Sequence, residues 1–350
     1  MTAVTTHERP GVYSVVGASA VVYGAGENKV AGLVALTETA SAAGKLTSVG
    51  TYAEAVDAFG KGDAVTELVR LLLANGAARV KAAPVAAASG YAAALGLLAE
   101  EEDVQVVVCD STAAAVQEAV RASVAASSAA RQERIAVLAG AKDETVSQLT
   151  ARAAALNSER VVLVAPGAAG AEDGGGAMLA AAVAGAICGE TDPAVPLGGA
   201  ELRGLSGVTA RYGESDIDTL IRGGVTPVES LGGRCTVVRG VTTRTKTGGE
   251  SDTTWRELGT VLVADDVVPT IRRALAARFA RAKNTAQVRS AIRTQVVVEL
   301  ERKKAAQIVT GYGPVTAETV AGKPTVCLVT FSFSVAHGLD QIWLSAQMTV

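Results

Sequence analysis

Val-Gln-Val-Val-Val-Cys, at Val104–Cys109, is the stretch of this 350-residue sequence that decides the fold we predict. A strand with one solvent-exposed face alternates apolar and polar residues. This run is apolar at nearly every position, which indicates a strand buried on both faces. Similar strands are predicted at Arg79–Ala83, Arg134–Leu138 and Arg160–Ala165. Because helical segments separate these strands, the sequence predicts a mainly parallel sheet flanked by helices.

Capping residues mark several of the helices in this α/β pattern. Asp63 is predicted to cap an amphipathic helix over Ala64–Ala74, which Asn75-Gly76 then ends. Asp143 is predicted to cap a helix that runs to Leu156. A Gly-rich loop, Gly167–Gly176, leads into an Ala-rich helix that ends at Cys188. The other predicted helices of this region are Tyr91–Ala99 and Thr112–Ser127.

The chain changes character after Thr191, where turn residues become frequent. Val225–Glu229 and Arg234–Arg239 are predicted to form a strand pair, and Val261–Ala264 is predicted to be a short strand. Asp265 or Asp266 is then predicted to open a long helix. The helices predicted in this region are Asp216–Ile221 after Ser215, Val267–Ala282, and Ala286–Lys304 after the cap Asn284-Thr285.

Both ends of the sequence read as extended chain. Arg9-Pro10-Gly11 is predicted to be extended and Val12–Tyr23 to be a strand. Near the other end, apolar and polar residues alternate on both sides of a turn at 337–340, which predicts two strands. The apolar residues named for this alternation are Phe331, Phe333, Val335, Ile342, Leu344 and Met348. Strands so close to a terminus indicate that this end binds a partner, such as another copy of the chain.

The predicted fold class is therefore α/β, with a mainly parallel sheet core, an α+β C-terminal region and extended β-strand arms at both termini. We predict five regions: an N-terminal arm and first strand (1–24), a small α/β region (25–78), an α/β core (79–190), a C-terminal region with two long helices (191–324) and a C-terminal β-arm (325–350).

Composition narrows the classes of partner. The net charge is −3, which argues against nucleic acid as a partner. The first ten residues lack the pattern of a signal peptide, and the uncharged Ala-rich stretches favour buried helices over membrane spans. The four cysteines, Cys109, Cys188, Cys235 and Cys327, have no metal-binding spacing and are predicted to be buried thiols.

Catalytic chemistry has few residues available to it. The two histidines, His7 and His337, lie near the termini, so a nucleophile in the core would lack its usual base. The phosphate-binding pattern G-x-x-x-x-G-K-[ST] fails at every Gly-Lys pair. Asp265-Asp266 is explained as a helix cap favoured by the helix dipole. We predict that the protein is not an enzyme and that it binds no metal or cofactor.

Basic residues cluster on the first of the two long helices, and two interpretations stay open. The cluster is either an ordinary solvated face or a cationic strip that binds an acidic partner surface. Its members are Arg272, Arg273, Arg278, Arg281 and Lys283.

Short segments along the chain then suggest a family. In chain order they are Arg9-Pro10-Gly11-Val12-Tyr13, Phe59-Gly60, Leu73–Val80, Asp192-Pro193, Leu220–Pro227, Thr242–Thr245, Trp255–Leu258 and Lys283-Asn284-Thr285. Taken in this order, they resemble the contractile tail sheath proteins of phages and phage-tail-like bacteriocins.

The resemblance implies a subunit that polymerises as stacked hexameric rings around an inner tube and contracts to drive the tube through a target envelope. The terminal arms, including Arg9 to Tyr13 and the C-terminal apolar residues, would add strands to sheets of neighbouring subunits. A helix on the inner side would touch the tube, and the basic cluster is our candidate. The implied partners are further copies, the inner tube protein, and the baseplate and tail terminator proteins. The implied location is a virion tail or a tail-like particle.

Two other classes of function stay open at this point. The first is an α/β enzyme that binds a nucleotide through a Gly-rich loop such as Gly174-Gly175-Gly176, before the Ala-rich helix. The second is a strand-exchanging surface or pilus subunit, which the missing signal peptide disfavours.

Overall fold

A computed structural model describes residues 29–171, 173–339 and 344–345. The strand predicted at Val12–Tyr23, the segment Arg9 to Tyr13, and Ile342 and Met348 lie outside the described residues. Leu344 lies within them and is 93% exposed.

The described strands are β1 (Val30–Val34), β2 (Thr47–Val49), β3 (Arg79–Ala82), β4 (Val104–Cys109), β5 (Ile135–Ala139), β6 (Val161–Ala165), β7 (Glu201–Leu202), β8 (Val225–Leu231), β9 (Arg234–Val237), β10 (Lys246–Thr247), β11 (Glu250–Ser251), β12 (Val309–Tyr312), β13 (Thr316–Val320), β14 (Lys323–Thr330) and β15 (Phe333–Val335). The α-helices are α1 (Tyr52–Phe59), α2 (Ala64–Ala74), α3 (Tyr91–Ala99), α4 (Ala114–Ala129), α5 (Val146–Leu156), α6 (Gly176–Gly189), α7 (Glu214–Arg222), α8 (Leu258–Phe279) and α9 (Ala286–Ala305).

Nine strands form one central sheet in the order β2-β3-β1-β4-β5-β6-β8-β9-β7. In this order, the strands from β3 to β8 run parallel, and β2, β9 and β7 pair antiparallel at the two edges. The predicted fold class, a mainly parallel sheet flanked by helices, is confirmed. The sheet takes strands from both sides of the predicted boundaries at 79 and 190, so it is a larger unit than the predicted core segment.

Helices cover both faces of this sheet, which explains the continuous apolar pattern of β4. Val106 and Val108 face a core layer that contains α2 and α6. Val107 and Cys109 face the opposite layer, built from α3, α4 and α5. Since neither face of the strand meets water, apolar side chains are favoured at successive positions.

The helices α6 and α2 pack closely against each other, and glycine makes this contact possible. A Cβ atom at Gly185 would lie 2.6 Å from the Leu72 carbonyl oxygen. A Cβ atom at Gly189 would lie 2.9 Å from the Cα of Gly76. Only residues without side chains allow the two backbones to approach this closely.

Two predicted element boundaries are wrong. Asp143 does not cap α5. It has a φ of 60°, and Thr145 is the cap instead, in a capping box with Gln148. The strand predicted at Val261–Ala264 lies in the first two turns of α8, which begins at Leu258 and not at Asp265 or Asp266. Leu258, Val261, Ala264 and Val268 are buried at helical spacing, and this amphipathic pattern outweighs the local preference of valine for strands.

Three of the four cysteines are confirmed as buried thiols, namely Cys109, Cys188 and Cys235. Burial raises the pKa of Cys109 and that of Cys188 to about 12. Cys327 differs from the prediction, because it lies on β14 and is only half-buried.

Substituting Gly185 tests the α6–α2 contact. Gly185→Ala should lower the free energy of unfolding by about 1–3 kcal/mol, because the new methyl group overpacks the crossing. Denaturant unfolding followed by circular dichroism measures the change. Gly96, on α3, is the matched control, since a Cβ atom there would meet nothing within 4 Å. Gly96→Ala should raise stability by up to about 1 kcal/mol through helix propensity. Equal effects at the two sites would contradict the close crossing.

Candidate functional site

A third core, separate from the two layers of the sheet, joins α8, α9, β12 and β15. The strand β15 pairs antiparallel with β12, so that Phe333 lies opposite Tyr312 and Val335 opposite Val309. Phe333 is 5% exposed and Val335 is 7% exposed. The alternation that predicted an arm here therefore serves the chain's own fold, and Phe333 and Val335 are core residues.

Phe331 has an intermediate position at the edge of this third core. It is half-buried, and its ring stacks on that of Phe333 with the centroids 6.1 Å apart. The predicted single extended strand is thus interrupted. Its first part lies in β14, and its second part lies in β15, which pairs with a different partner. Phe331 and Ser332 form the break between them.

The strands β13 and β14 form a separate two-stranded sheet, here called the hairpin. Val326 and Leu328 of β14 are 42% and 48% exposed, although both are aliphatic. A two-stranded sheet is marginally stable in water, and its outer edges present backbone groups that can pair with another strand. Among the described residues, no third strand pairs with the hairpin. Val326 and Leu328 are thus exposed aliphatic residues on a sheet whose outer edges pair with no other described strand.

Ion pairs join α8 to the body of the sheet and also to α9. Arg160, just before β6, pairs with Asp265, and Arg272 pairs with Glu133, with 2.6 Å between Nη2 and Oε1. The Lys303 ammonium lies 3.9 Å from Oδ1 of Asp266. We call these six residues the seam. Asp265 and Asp266 are therefore not helix caps, because they lie within α8 and face partners across the seam.

Burial dominates the protonation of the seam carboxyl groups. It raises the pKa of Asp265, and the neighbouring Arg160 offsets this only in part. Burial also raises the pKa of Asp266, against the attraction of Lys303 and of Lys29. No local pattern in the sequence indicated these shifts, since Arg160 and Asp265 are 105 residues apart. The sequence signal is the pair Asp265-Asp266 within the apolar helical pattern of α8. Two acidic residues there indicate cationic partners, although they do not show which residues these are.

The structure separates the five predicted tube-facing residues. Arg272 is largely buried against Glu133 in the seam, so it belongs to the subunit's interior. Arg273, Arg278, Arg281 and Lys283 are exposed. Arg278 donates to Oε1 of Gln295 on α9 at 2.5 Å, and its guanidinium lies 5.9 Å from the centre of the Phe279 ring. We call these four exposed residues the basic strip.

The Gly-rich loop before α6 is folded onto itself. The amide of Gly175 donates to Oδ1 of Asp173 at 2.9 Å, and Ala168 N donates to Gly175 O at 3.0 Å. A Cβ atom at Gly167 would lie 1.9 Å from the Gly174 carbonyl oxygen. The glycines thus serve close packing within the loop. The acidic Asp173 at the helix N-terminus disfavours a phosphate there, which counts against the nucleotide-binding alternative.

The acidic, thiol and imidazole side chains are the groups that could ligate a metal ion. The described ranges contain no group of three or more His, Cys, Asp or Glu residues that could hold a metal ion. His337 is exposed and follows β15. Within the same ranges, no helix combines the length and the apolar character needed to cross a membrane.

Sequence comparison identifies the family. The central domain of phage tail sheath proteins matches residues 82–243, and the phage tail sheath C-terminal domain matches residues 250–349. Together these two domains account for most of the chain. The chain belongs to the phage tail sheath family.

Individual relatives agree with this assignment. The tail sheath protein of Bacillus phage SP01 is 27% identical over 248 residues, which cover 69% of this chain and 42% of that protein. This chain thus spans less than half the length of that curated relative.

Solved structures show the same fold. The helical sheath of the anti-feeding prophage in its contracted state has a TM-score of 0.73 at 16% identity, covering 99% of this chain and all of that one. The sheath tail protein of Desulfitobacterium hafniense has a TM-score of 0.67 at 12% identity, covering 93% of this chain and all of that one. The contracted PVC sheath of an extracellular contractile injection system has a TM-score of 0.67 at 15% identity, with 99% of both chains covered.

The pH dependence of stability tests the seam. Because the pKa of Asp265 is raised in the folded state, its titration contributes stability that is present below about pH 4 and is lost as the pH rises through the folded pKa. The variant Asp265→Asn carries a side chain of similar size that does not titrate. The stability of the wild type relative to this variant should therefore fall as the pH rises from about 4 towards neutrality. Denaturant unfolding at a series of pH values measures this difference.

Glu54 on α1 provides a control of opposite sign. A hydrogen bond from the Gly50 amide lowers the pKa of Glu54. Its contribution to stability is thus present above the unfolded pKa and lost as the pH falls. The stability of the wild type relative to Glu54→Gln should therefore increase as the pH rises. If the stability of the wild type relative to Asp265→Asn also increased with rising pH, the attraction of Arg160 would outweigh the effect of burial on the pKa of Asp265.

Proposed function

We propose that this chain is a structural subunit of a contractile tail sheath. Copies polymerise as stacked hexameric rings around an inner tube, and contraction drives the tube through a target cell envelope. The sheath meets a baseplate at one end and a tail terminator at the other, within a virion tail or a tail-like particle. The protein acts through assembly and performs no catalysis. Membership of the tail sheath family supports the proposal, as does the hairpin, whose apolar side chains lie at the surface.

The hairpin is the observation that carries the assembly mechanism. Exposed aliphatic residues on a two-stranded sheet favour a partner that adds a strand and covers the apolar face. A neighbouring subunit is the partner we propose, because a sheath is a polymer of one chain. Backbone pairing supplies strength along the strand, and the side chains fix its register.

The segments that reach the neighbours are the chain's two ends. Leu344 is almost fully exposed, and residues 1–28 precede the sheet. Since Phe333 and Val335 belong to the core, the C-terminal link begins after β15. We therefore assign the link to residues 340–350 at this end, and to the N-terminal segment that includes Arg9 to Tyr13 at the other.

Truncation tests the C-terminal link. Deleting residues 340–350 should leave a folded subunit, because the deletion spares β15 and the third core. Tube formation should be lost, because the link to the neighbour is gone. Negative-stain microscopy of the purified protein scores striated tubes, and thermal unfolding checks the fold. Normal tubes from a folded truncated protein would contradict the linking role.

Two substitutions on the hairpin test the same assembly contact independently. The double variant Val326→Asp with Leu328→Asp places charges on the proposed contact face and should also prevent tubes. The matched control is Val298→Asp, which introduces the same charge at an exposed aliphatic residue of α9. Tubes should persist in this control. Loss of tubes in both the double variant and the Val298→Asp control would indicate a general sensitivity to charge and would count against the hairpin.

The basic strip is the proposed contact with the inner tube. It projects at the end of α8 and the turn after it, where exposed cations can meet acidic residues of a partner. Each exposed ion pair contributes only about 0–1 kcal/mol. A contact made of several such pairs can therefore hold in one state of the sheath and be released in another.

Charge reversal tests this contact. The triple variant Arg273→Glu, Arg278→Glu and Arg281→Glu should reduce coassembly with the tube protein of the same particle by about tenfold or more, since repulsion replaces attraction. Sheath-to-sheath assembly should be retained. Cosedimentation with preformed tubes, at low and at high salt, measures the effect.

Arg222 on α7 is the matched control, because it is an exposed arginine on another helix. Arg222→Glu should leave tube binding unchanged. Equal tube binding by the triple variant and the wild type would return the basic strip to the role of an ordinary solvated face.

A further inference from the structure

Lys29, the first described residue, is hydrogen-bonded to the last turn of α6. Its main-chain amide donates to Cys188 O at 3.0 Å. Its ammonium donates to Ile187 O at 3.1 Å and to Glu190 O at 2.7 Å. A cation at the C-terminus of a helix is favoured by the helix dipole, and these bonds satisfy carbonyl groups that the helix itself leaves free.

The surroundings of Lys29 make this a firm attachment. Its carbonyl oxygen accepts from the Ala78 amide at 3.1 Å, which ties it to the start of β3. Burial lowers the pKa of Lys29, and the nearby Glu190 and Asp266 carboxyl groups oppose that shift. The turn of α6 that receives Lys29 is also the place where Gly189 packs on Gly76 of the α2–β3 loop.

The residues just after β15 contact the segment that follows α6. This segment, Glu190–Ala200, runs from α6 to β7 and is here called the connector. Gly338 packs against its Pro196 so closely that a Cβ atom would lie 2.6 Å from the proline ring. The segment 335–338 and the connector also line a common cavity of about 240 Å³. Just before Gly338, the Ala336 amide donates to Ile308 O at 3.2 Å, which ties the exit of β15 to the third core.

The connector itself is built to be stiff. Pro193 and Pro196 fix two of its backbone angles. The Asp192 side chain accepts from the Ala194 amide at 2.9 Å, and the Gly199 amide donates to Val237 O at 2.7 Å. These prolines and hydrogen bonds restrain the connector between α6 and the sheet edge, so a load on it is passed to both.

We propose that the connector, with the last turn of α6, is the common anchor of both chain ends. A pull on either intersubunit link then reaches the same rigid element of the subunit. The proposal rests on the proposed function, in which both ends link to neighbouring subunits. It assigns Lys29 and Gly338 as the residues that hold the two links to the body.

Substitutions at the two attachment points test the anchor. Lys29→Met removes the ammonium at similar side-chain length, and Gly338→Ala wedges a methyl group against Pro196. Each should lower the yield of striated tubes about tenfold, while the thermal midpoint of the unassembled subunit stays close to that of its control. The controls are Lys81→Met, which breaks ion pairs to Glu101 and Asp103, and Gly311→Ala, where a Cβ atom meets nothing within 4 Å. Wild-type yields from both variants, or losses no larger than those of the controls, would overturn the anchor.

Hydrogen exchange separates failure of the anchor from failure of the proposed function. In the unassembled subunit, Lys29→Met should speed amide exchange about tenfold in the connector and also at Ala336, because both attachment points share one support. If the wild type forms no tubes, the proposed function fails, and this exchange measurement still decides the anchor. Unchanged exchange at the connector and at Ala336 in Lys29→Met would overturn it.

Discussion

The backbone contact between α6 and α2 is the constraint on which the arrangement depends. Helix α6 touches α2 on one side and the strands β1, β4, β5 and β6 on the other. Small residues make up most of α6, and the glycines at 185 and 189 allow its backbone to approach α2 and the loop after α2 closely. Its position also fixes where the connector begins, and hence where the chain's ends attach. A bulkier helix here would displace the core layer that α6 shares with α2, and the connector with it.

The seam joins α8 to the sheet, and α9 to α8, through ion pairs instead of close backbone packing. Burying ionised groups is costly, and their mutual attraction only partly offsets that cost, so such pairs add little net stability compared with apolar packing. They do require a particular orientation, because removing or misplacing one partner leaves a buried charge unpaired. The seam is thus suited to setting the angle of α8 against the sheet. The basic strip lies on the far end of the same helix, so its direction follows from that angle.

Local patterns predicted most of the sheet and its helices, because strands such as β4 and caps such as Asp63 are decided by nearby residues. The same local logic was wrong at Val261–Ala264, where a β-favouring run belongs to a long helix fixed by tertiary packing. At Phe333 and Val335 the predicted strand is present as β15, but it pairs with β12 of the same chain. Alternation shows that a strand has two different faces, but it does not show whether the covering partner is the same chain or another. The seam pairs distant residues, which no local pattern reveals.

The distribution of the thiols has a practical consequence for following the sheath in solution. Cys109, Cys188 and Cys235 are enclosed by the two core layers, whereas Cys327 lies half-buried on the hairpin. An alkylating dye should therefore label the native chain preferentially at the hairpin, with no engineered cysteine. The fluorescence of such a dye would report the covering of that surface as subunits join, and would do so on the unmodified sequence.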